Sequence, residues 1–127
     1  MISLPHPVRV FLHAPATDLR KGFDALSGLV TTAFGQDPTS GHLFLFVNRR
    51  RDRLKILYWD RDGLAIWYKR LEIGSFQIPA TATDAVSIEM TATQLSLILA
   101  GIDLGSARQR KRSQRPVSEA ENRPSPS

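Results

Sequence analysis

The strongest chemical signal in the sequence is a run of cations between two strand-like segments. The segment FVNRRRDRLKILYW, residues 46–59, carries Arg49, Arg50, Arg51, Arg53 and Lys55. Guanidinium and ammonium groups at this density can bind phosphates, which give nucleic-acid binding its sequence-independent affinity. Cations at a hairpin end also keep a sheet edge soluble and unpaired. The run therefore supports two interpretations, a nucleic-acid contact and a solvated turn.

Two further groups of cations support the first interpretation. Arg20 and Lys21, followed by Gly22, precede or open a predicted helix, where free backbone N–H groups and the helix dipole favour an anion. A plain solvated first turn explains that group equally well. Lys69 and Arg70 lie near the end of a third strand-like segment, 64–71.

The net charge of the chain comes mostly from its C-terminus. Residues 106–127 carry six basic and two acidic residues, or +4 of the total of +5, which leaves +1 for residues 1–105. Apolar residues nearly vanish after residue 105, so we expect one domain over 1–105 and a disordered basic tail over 106–127. The tail would at most strengthen DNA binding without a defined geometry.

Catalytic and metal-binding patterns are weak. Asp60 and Asp62 could share a magnesium ion, yet Asp-x-Asp-Gly between strands is ordinary hairpin chemistry. His6, His13 and His42 lack the spacing of metal ligands. The sequence contains no cysteine and no phosphate-binding glycine loop, nucleophile elbow or catalytic triad. We therefore expect a protein that is not an enzyme and that needs no cofactor or metal.

The N-terminus and the overall composition indicate a cytoplasmic protein. The opening MISLPHPVRVFLHAPA lacks the basic and long apolar regions of a signal peptide. Its apolar runs also stay well short of the roughly 18 residues that span a membrane. The absence of cysteine fits a reducing compartment. We expect the chain to be neither exported nor inserted into a membrane.

Periodicity and turn residues predict an α+β fold. Its centre is an antiparallel β-meander sheet, on which an N-terminal amphipathic helix and a short C-terminal helix pack. The amphipathic helix covers roughly residues 19–34 and follows Thr17 and Asp18, which are N-cap types; it would begin at Phe23 if Gly22 lies outside it. The second helix, 91–100, opens with a capping box from Thr91 to Gln94. The predicted strands are 8–13, 43–47, 54–59 and 64–71, with additional edge strands at 75–79 and 85–90.

Hairpin geometry predicts that the cations meet at one end of the sheet. A turn at 60–63, with Asp62-Gly63 as its favoured pair, brings Lys55 near residues 68–70 and leaves Asp60 and Asp62 at the opposite end. We call the resulting cluster the basic pole: Arg49, Arg50, Arg51, Arg53, Lys55, Lys69 and Arg70. Both faces of the hairpin are largely apolar. If the two helices cover one face, an aromatic side chain stays partly exposed on the other, as a platform for phosphate contacts and base stacking.

Several ordered motifs resemble a known family. The segments are TDLRKGFD (17–24), GHLF (41–44), RRDRLKIL (50–57) followed by WD (59–60), KRLE (69–72) and LAGID (99–103). In order and spacing they are similar to the TnpB-type accessory protein of the bacterial insertion-sequence family numbered sixty-six. The resemblance covers about residues 1–104. That protein is distinct from the RNA-guided nuclease that shares the TnpB name.

The resemblance implies a small non-catalytic partner, encoded beside a DDE-type transposase and needed for efficient transposition. Two departures stand out: Leu104 replaces the tryptophan that usually follows Gly-Ile-Asp, and Arg51 stands where a glycine is common in the hairpin. The family has no counterpart of the tail. Two functions follow: an accessory factor that binds DNA through the basic pole, or a scaffold that contacts the transposase without binding DNA. A metal nuclease using Asp60 and Asp62 is a third and weaker hypothesis.

Overall fold

The computed structural model describes residues 7–79 and 85–100. They form an α+β fold in which two helices pack on a five-stranded mixed sheet. In chain order the elements are β1 (Val10–His13), α1 (Phe23–Ala33), β2 (Leu43–Val47), β3 (Arg53–Asp60), β4 (Gly63–Arg70), β5 (Ser87–Met90) and α2 (Ala92–Ala100). The expected domain boundary at residue 105 and the expected disorder of the tail lie outside the described residues.

The sheet is mixed, which corrects the expectation of a wholly antiparallel meander. Its strand order is β4-β3-β2-β1-β5. Strands β2, β3 and β4 pair antiparallel in sequence order, but β1 runs parallel to β2 and antiparallel to β5. The physical reason is the connection through α1, because a helical crossover returns the chain in its original direction. Periodicity finds each strand but does not give its direction.

The segment 75–79 is not a strand, contrary to expectation. Its central residue, Phe76, is fully buried in the core cluster that also contains Leu54 and Ile56 of β3. The alternation of apolar residues in 75–79 therefore reflects packing against the sheet and not pairing with its edge.

The two helices cover opposite faces of the sheet, although the sequence suggested that both could cover one. Leu26 and Val30 of α1 pack with a cluster that includes Phe11, Phe44, Phe46 and Leu57. Leu95 and Ile98 of α2 belong to the second cluster, with Val10, Leu12, Leu45, Val47, Leu54 and Ile56. Because neighbouring residues of a strand point to opposite faces, each helix buries its own set of strand residues.

The local signals at the helix ends are confirmed in part. Helix α1 begins at Phe23, with Gly22 as its N-cap, so Arg20 and Lys21 belong to the preceding loop 14–22. Thr17 and Asp18 are therefore not N-caps. The capping box of α2 is present: Thr91 Oγ1 accepts from the backbone N–H of Gln94 at 3.0 Å, and Gln94 Oε1 accepts from that of Thr91 at 2.9 Å. In the described part of the chain, no helix is long and apolar enough to cross a membrane.

Candidate nucleic-acid interface

The β3–β4 hairpin brings the basic residues to one end of the sheet. Arg53 is paired with Arg70, and Lys55 with Tyr68, while Asp60 and Gly63 close the opposite end. The predicted register is therefore confirmed. The left-handed residue at the far turn is Arg61, with φ 58°, and not Gly63 of the expected turn pair.

The turn 48–52, which joins β2 to β3, is organised by Asn48. Its side-chain amide donates to Asp52 Oδ1 at 2.7 Å, and its Oδ1 accepts from the backbone N–H of Arg53 at 3.0 Å. Its backbone carbonyl accepts from the N–H of Arg51 at 3.0 Å. These bonds occupy the polar groups inside the turn, so the arginine side chains are left to point away from it.

The segment after β4 also stabilises the turn 48–52, through backbone hydrogen bonds. The backbone N–H of Leu71 donates to the carbonyl of Asp52 at 2.7 Å, and that of Phe76 donates to the carbonyl of Arg51 at 2.6 Å. Since Phe76 is fully buried, this contact ties the turn to the core. The basic turn is thus a fixed feature of the fold.

The arginines of the turn, Arg49, Arg50 and Arg51, are exposed. Within residues 7–79 and 85–100, no ion pair joins Arg49, Arg50 or Arg51 to a carboxylate. Arg53 donates to the Tyr68 hydroxyl at 3.4 Å. Arg70 lies 3.5 Å from a carboxylate oxygen of Glu72. Cations without partners in the folded chain keep their charge available to an external anion.

Lys55 differs from the other members of the basic pole. The sequence placed it among the exposed cations, whereas its side chain is buried, with 9% of its surface exposed. Its Nζ donates to the backbone carbonyl of Lys21 at 2.9 Å and lies 4.9 Å from the centre of the Tyr68 ring. Lys55 therefore ties the hairpin to the loop 14–22, and its ammonium does not reach the outer surface. Lys69 is exposed, but the pleat puts it on the opposite face from Arg70.

The loop 14–22 forms a wall beside the basic turn. Thr17 anchors it: its backbone N–H donates to the carbonyl of Val47 at 2.8 Å, and its hydroxyl lies 3.1 Å from His13 Nδ1. Arg20 makes hydrogen bonds of 2.7 to 3.1 Å to the Asp18 carboxylate. These bonds hold the pKa of Asp18 well below its usual range. The Lys21 side chain is exposed on the same loop.

The loop and the turn border a cavity of about 510 Å³ that is open to solvent. Its walls bring Arg20 together with Arg49, Arg50 and Arg53, which are separated in sequence by the whole of α1 and β2. The complete lining is Ala16, Thr17, Asp18, Leu19, Arg20, Asn48, Arg49, Arg50, Asp52, Arg53 and Tyr68. We call it the arginine cavity. Its positive side chains outnumber its carboxylates, and one aromatic ring lies on its wall.

Sequence reasoning missed the roles of Asn48 and Asp52 in this site; it predicted an exposed aromatic side chain beside the basic end without identifying it as Tyr68. Asp52 is an acid within the run of cations; the hydrogen bond from Asn48 lowers its pKa, and the positive charges of Arg50 and Arg53 add to the effect. The role of Asn48 could have been predicted from its position between a strand and a basic turn, where an asparagine side chain commonly forms hydrogen bonds with the nearby backbone. Nothing in the sequence indicated that residues 16–20 face the turn.

The remaining titratable residues form no obvious reaction centre. No group of three or more His, Asp or Glu side chains in the described residues is arranged to hold a metal ion. His42 Nδ1 accepts from the backbone N–H of Arg9 at 3.0 Å, and His13 is buried; His6 lies outside the described residues. Asp60 and Asp62 occupy the far end of the hairpin.

Comparisons with known proteins agree with the motif resemblance. The family model described as IS66 Orf2 like protein matches residues 8–109. Two uncharacterized proteins of Sinorhizobium fredii are similar over 103 residues. One, y4jC, is 35% identical, and the match covers 81% of this chain and 86% of y4jC. The other, y4hO, is 36% identical over 81% of this chain and 88% of its own length. No solved structure is significantly similar to the chain.

Proposed function

This chain belongs to the family of IS66 Orf2-like proteins, and from that premise we propose that it is a non-catalytic accessory factor for the transposition of an insertion sequence. It binds DNA through the arginines of the basic pole and assists a separately encoded transposase in the cytoplasm. The observation that carries the proposal is the convergence of Arg20, Arg49, Arg50 and Arg53 on one cavity. Within residues 7–79 and 85–100, three of these four arginines form no ion pair with a carboxylate.

The proposed contact is to the phosphate backbone. Exposed arginines form bidentate hydrogen bonds with phosphate oxygens, and Arg49 and Arg50 are adjacent on a turn held by Asn48. Because the turn is ordered before DNA arrives, binding does not require further ordering of the backbone. Contacts of this kind position a protein on DNA without reading its bases. The accessory role of these arginines is therefore to hold DNA.

The alternative is a scaffold that contacts the transposase without DNA. Exposed apolar side chains support it: Trp67 is 39% exposed and Ile73 60% exposed. Trp67 is on the opposite face of β4 from Tyr68, so such a contact could coexist with DNA at the arginine cavity. With a scaffold alone, the arginines of the turn would serve only to keep the sheet edge soluble and unpaired.

Salt-dependent binding of full-length protein to duplex DNA tests the proposal. The informative variant is Arg49→Gln/Arg50→Gln, and the matched control is Arg9→Gln/Arg61→Asn, which removes the same net charge at two residues that do not line the cavity. Asparagine suits position 61, whose φ is positive. Each lost phosphate contact lowers the slope of log K against log salt by about 0.9. We expect the Arg49/Arg50 variant to lose about 2 units of slope and the control less than half as much.

Equal slopes for the two variants would contradict the proposal, because binding would then depend on net charge alone. A second variant replaces the six basic residues of 106–127 with glutamine. We expect it to bind more weakly but to keep the difference between the Arg49/Arg50 variant and its control. Loss of all binding in the tail variant would place the DNA contact in the tail and favour the scaffold for the folded residues.

A further inference from the structure

The residues that line the arginine cavity have the chemistry to contact a base as well as a phosphate. We propose that the cavity receives one nucleotide unstacked from DNA, with its phosphate on Arg49 and Arg50 and its base against Tyr68. The preferred ligand is then single-stranded or frayed DNA, such as an opened element end, and not closed duplex. This inference rests on the proposed function, since it concerns the same surface, but it makes a separate statement about the form of the DNA.

The cavity has the size for one nucleotide. Its volume of about 510 Å³ lies within the range of sites that enclose small molecules. A base inside a duplex is stacked on both sides and cannot enter such a concave site, so proteins that hold a base in a pocket take it from a single strand or out of the helix. A closed duplex could reach only the exposed guanidinium groups at the rim.

Tyr68 has the position and the exposure of a stacking side chain. It is 47% exposed and forms part of the cavity wall. Lys55 Nζ lies 4.9 Å from the ring centre, and Arg53 donates to the hydroxyl at 3.4 Å. The ring is therefore supported by two cations without being covered. Aromatic rings beside cationic grooves are the usual means by which proteins hold unpaired bases.

The carboxylates of the cavity also point to a base. Asp52 lies among the arginines, and as a carboxylate it is ionised at neutral pH. Asp52 helps to hold the turn through Asn48, but its negative charge would repel a phosphate. A carboxylate does accept hydrogen bonds from the exocyclic amino groups of cytosine, adenine and guanine, whereas thymine has no such group. Asn48 uses Asp52 Oδ1, and a carboxylate has acceptor positions beyond that one. The cavity should therefore favour bases that carry an amino group over thymine.

The test compares oligo(dC), oligo(dT) and a duplex of equal length with full-length protein at neutral pH and fixed salt. We expect tighter binding of oligo(dC) than of oligo(dT), and of either single strand than of the duplex. The informative variant is Tyr68→Leu, which keeps apolar bulk but removes the ring. It should weaken oligo(dC) binding about tenfold, the scale of one lost stacking contact, and change duplex binding less than twofold.

Three controls keep the result specific. Tyr68→Phe retains the ring and should bind oligo(dC) as the unmodified protein does. Trp67→Leu removes the neighbouring exposed ring on the opposite face of β4 and should have no effect on oligo(dC). Asp52→Asn should reduce the preference for oligo(dC) over oligo(dT), even though the loss of a negative charge strengthens binding to both. Thermal unfolding of each variant, followed by circular dichroism, shows which of them are folded at the assay temperature.

The outcomes separate this inference from the proposed function. Equal binding of single strands and duplex, with no effect of Tyr68→Leu, overturns the nucleotide site but leaves a phosphate-binding surface. Should Tyr68→Leu fail to fold, the Asp52→Asn comparison decides, and an unchanged ratio of oligo(dC) to oligo(dT) overturns the site. Absence of binding to every DNA contradicts both proposals.

Discussion

Arg51 occupies a backbone conformation that favours glycine. Its φ is 60°, which costs a residue with a Cβ about 1 kcal/mol. This explains why the family resemblance leads one to expect glycine at this position. Arg51 does not line the arginine cavity, although its charge lies at the same end of the sheet. Arginine in place of glycine at position 51 therefore adds a surface cation but introduces backbone strain.

We predict that Arg51→Gly leaves the free energy of unfolding unchanged or raises it by up to about 1 kcal/mol. Relief of strain is partly offset by the greater freedom of glycine in the unfolded chain, about 0.5–1 kcal/mol. Arg50→Gly is the matched control, since Arg50 has no positive φ to relieve, and it should lose about 0.5–1 kcal/mol. Urea unfolding measures both. A loss in Arg51→Gly as large as in Arg50→Gly would show that the turn is not strained at Arg51.

His13 makes stability depend on pH near neutrality. Its side chain is buried between the rings of Phe34 and Phe46, at centre distances of 5.9 and 5.8 Å. Burial lowers the pKa of His13, and a hydrogen bond at Pro15 opposes this in part. The unfolded chain, in which a histidine pKa is about 6.5, therefore binds a proton more readily than the folded chain as pH falls below that value. Stability must decrease with falling pH in this window.

We predict a lower melting temperature at about pH 5.5 than at about pH 7.5, with a smaller difference in His13→Gln. Glutamine keeps a polar group near Thr17 but does not titrate; its overall stability should be about 1–3 kcal/mol lower because of the lost packing and hydrogen bond. Asp18, Asp52 and Glu89 also have lowered pKa values. Their contributions are lost only as pH falls below about 4, so the two windows are separate. If the melting temperature of His13→Gln changes with pH as much as that of the unmodified protein, groups other than His13 cause the pH dependence.

Features of the helices and strands that depend on residues close in sequence could be predicted, whereas features that depend on contacts between distant residues could not. The capping box at Thr91, the start of α1 at Phe23 and the β3–β4 register each depend on residues close in sequence. The parallel pairing of β1 with β2 and the placement of the helices on opposite faces depend on how the chain returns after α1. The burial of Lys55 belongs to the second kind, because its acceptor, the carbonyl of Lys21, lies 34 residues away.

Asn48 holds the basic turn in place but carries no charge with which to bind a phosphate. We predict that Asn48→Ala, which removes two side-chain hydrogen bonds, lowers the free energy of unfolding by about 1–3 kcal/mol. It should also weaken DNA binding, because the arginines must be ordered on contact. The slope of log K against log salt should stay as it is, since every cation remains. A matched control for stability is Thr91→Ala, which costs about 1 kcal/mol at the cap of α2 and should leave DNA affinity unchanged.

A change of salt slope in Asn48→Ala would contradict a positioning role, because it would mean that phosphate contacts had been lost. Unchanged affinity would mean that the turn stays ordered without Asn48. In that case the bonds from Leu71 and Phe76 to the turn carbonyls are sufficient to hold it.

Across the whole molecule, charge is separated along the hairpin. Most of the arginines lie at the end where β3 begins, whereas Asp60 and Asp62 flank Arg61 at the end where β3 turns into β4. The seven steps from residue 53 to residue 60 span roughly 23 Å at the usual rise of a strand. At physiological salt the Debye length is about 8 Å, so a phosphate at the basic pole is screened from the acidic end. Where the charge lies should then matter more than its sum.

We predict an asymmetry between two variants that change net charge by the same amount in opposite directions. Arg49→Gln/Arg50→Gln should weaken duplex binding about tenfold or more at physiological salt, whereas Asp60→Asn/Asp62→Asn should strengthen it less than about twofold. Equal and opposite changes, measured by fluorescence anisotropy, would mean that DNA responds to the overall charge and that no defined interface exists.

The Asp60/Asp62 variant also tests the hypothesis of a metal nuclease. Any magnesium-dependent DNA cleavage that disappears with these two carboxylates would assign them to chemistry, whereas cleavage that persists excludes them from it. Because they lie at the opposite end of the hairpin from the arginines, we expect them to contribute to neither binding nor cleavage.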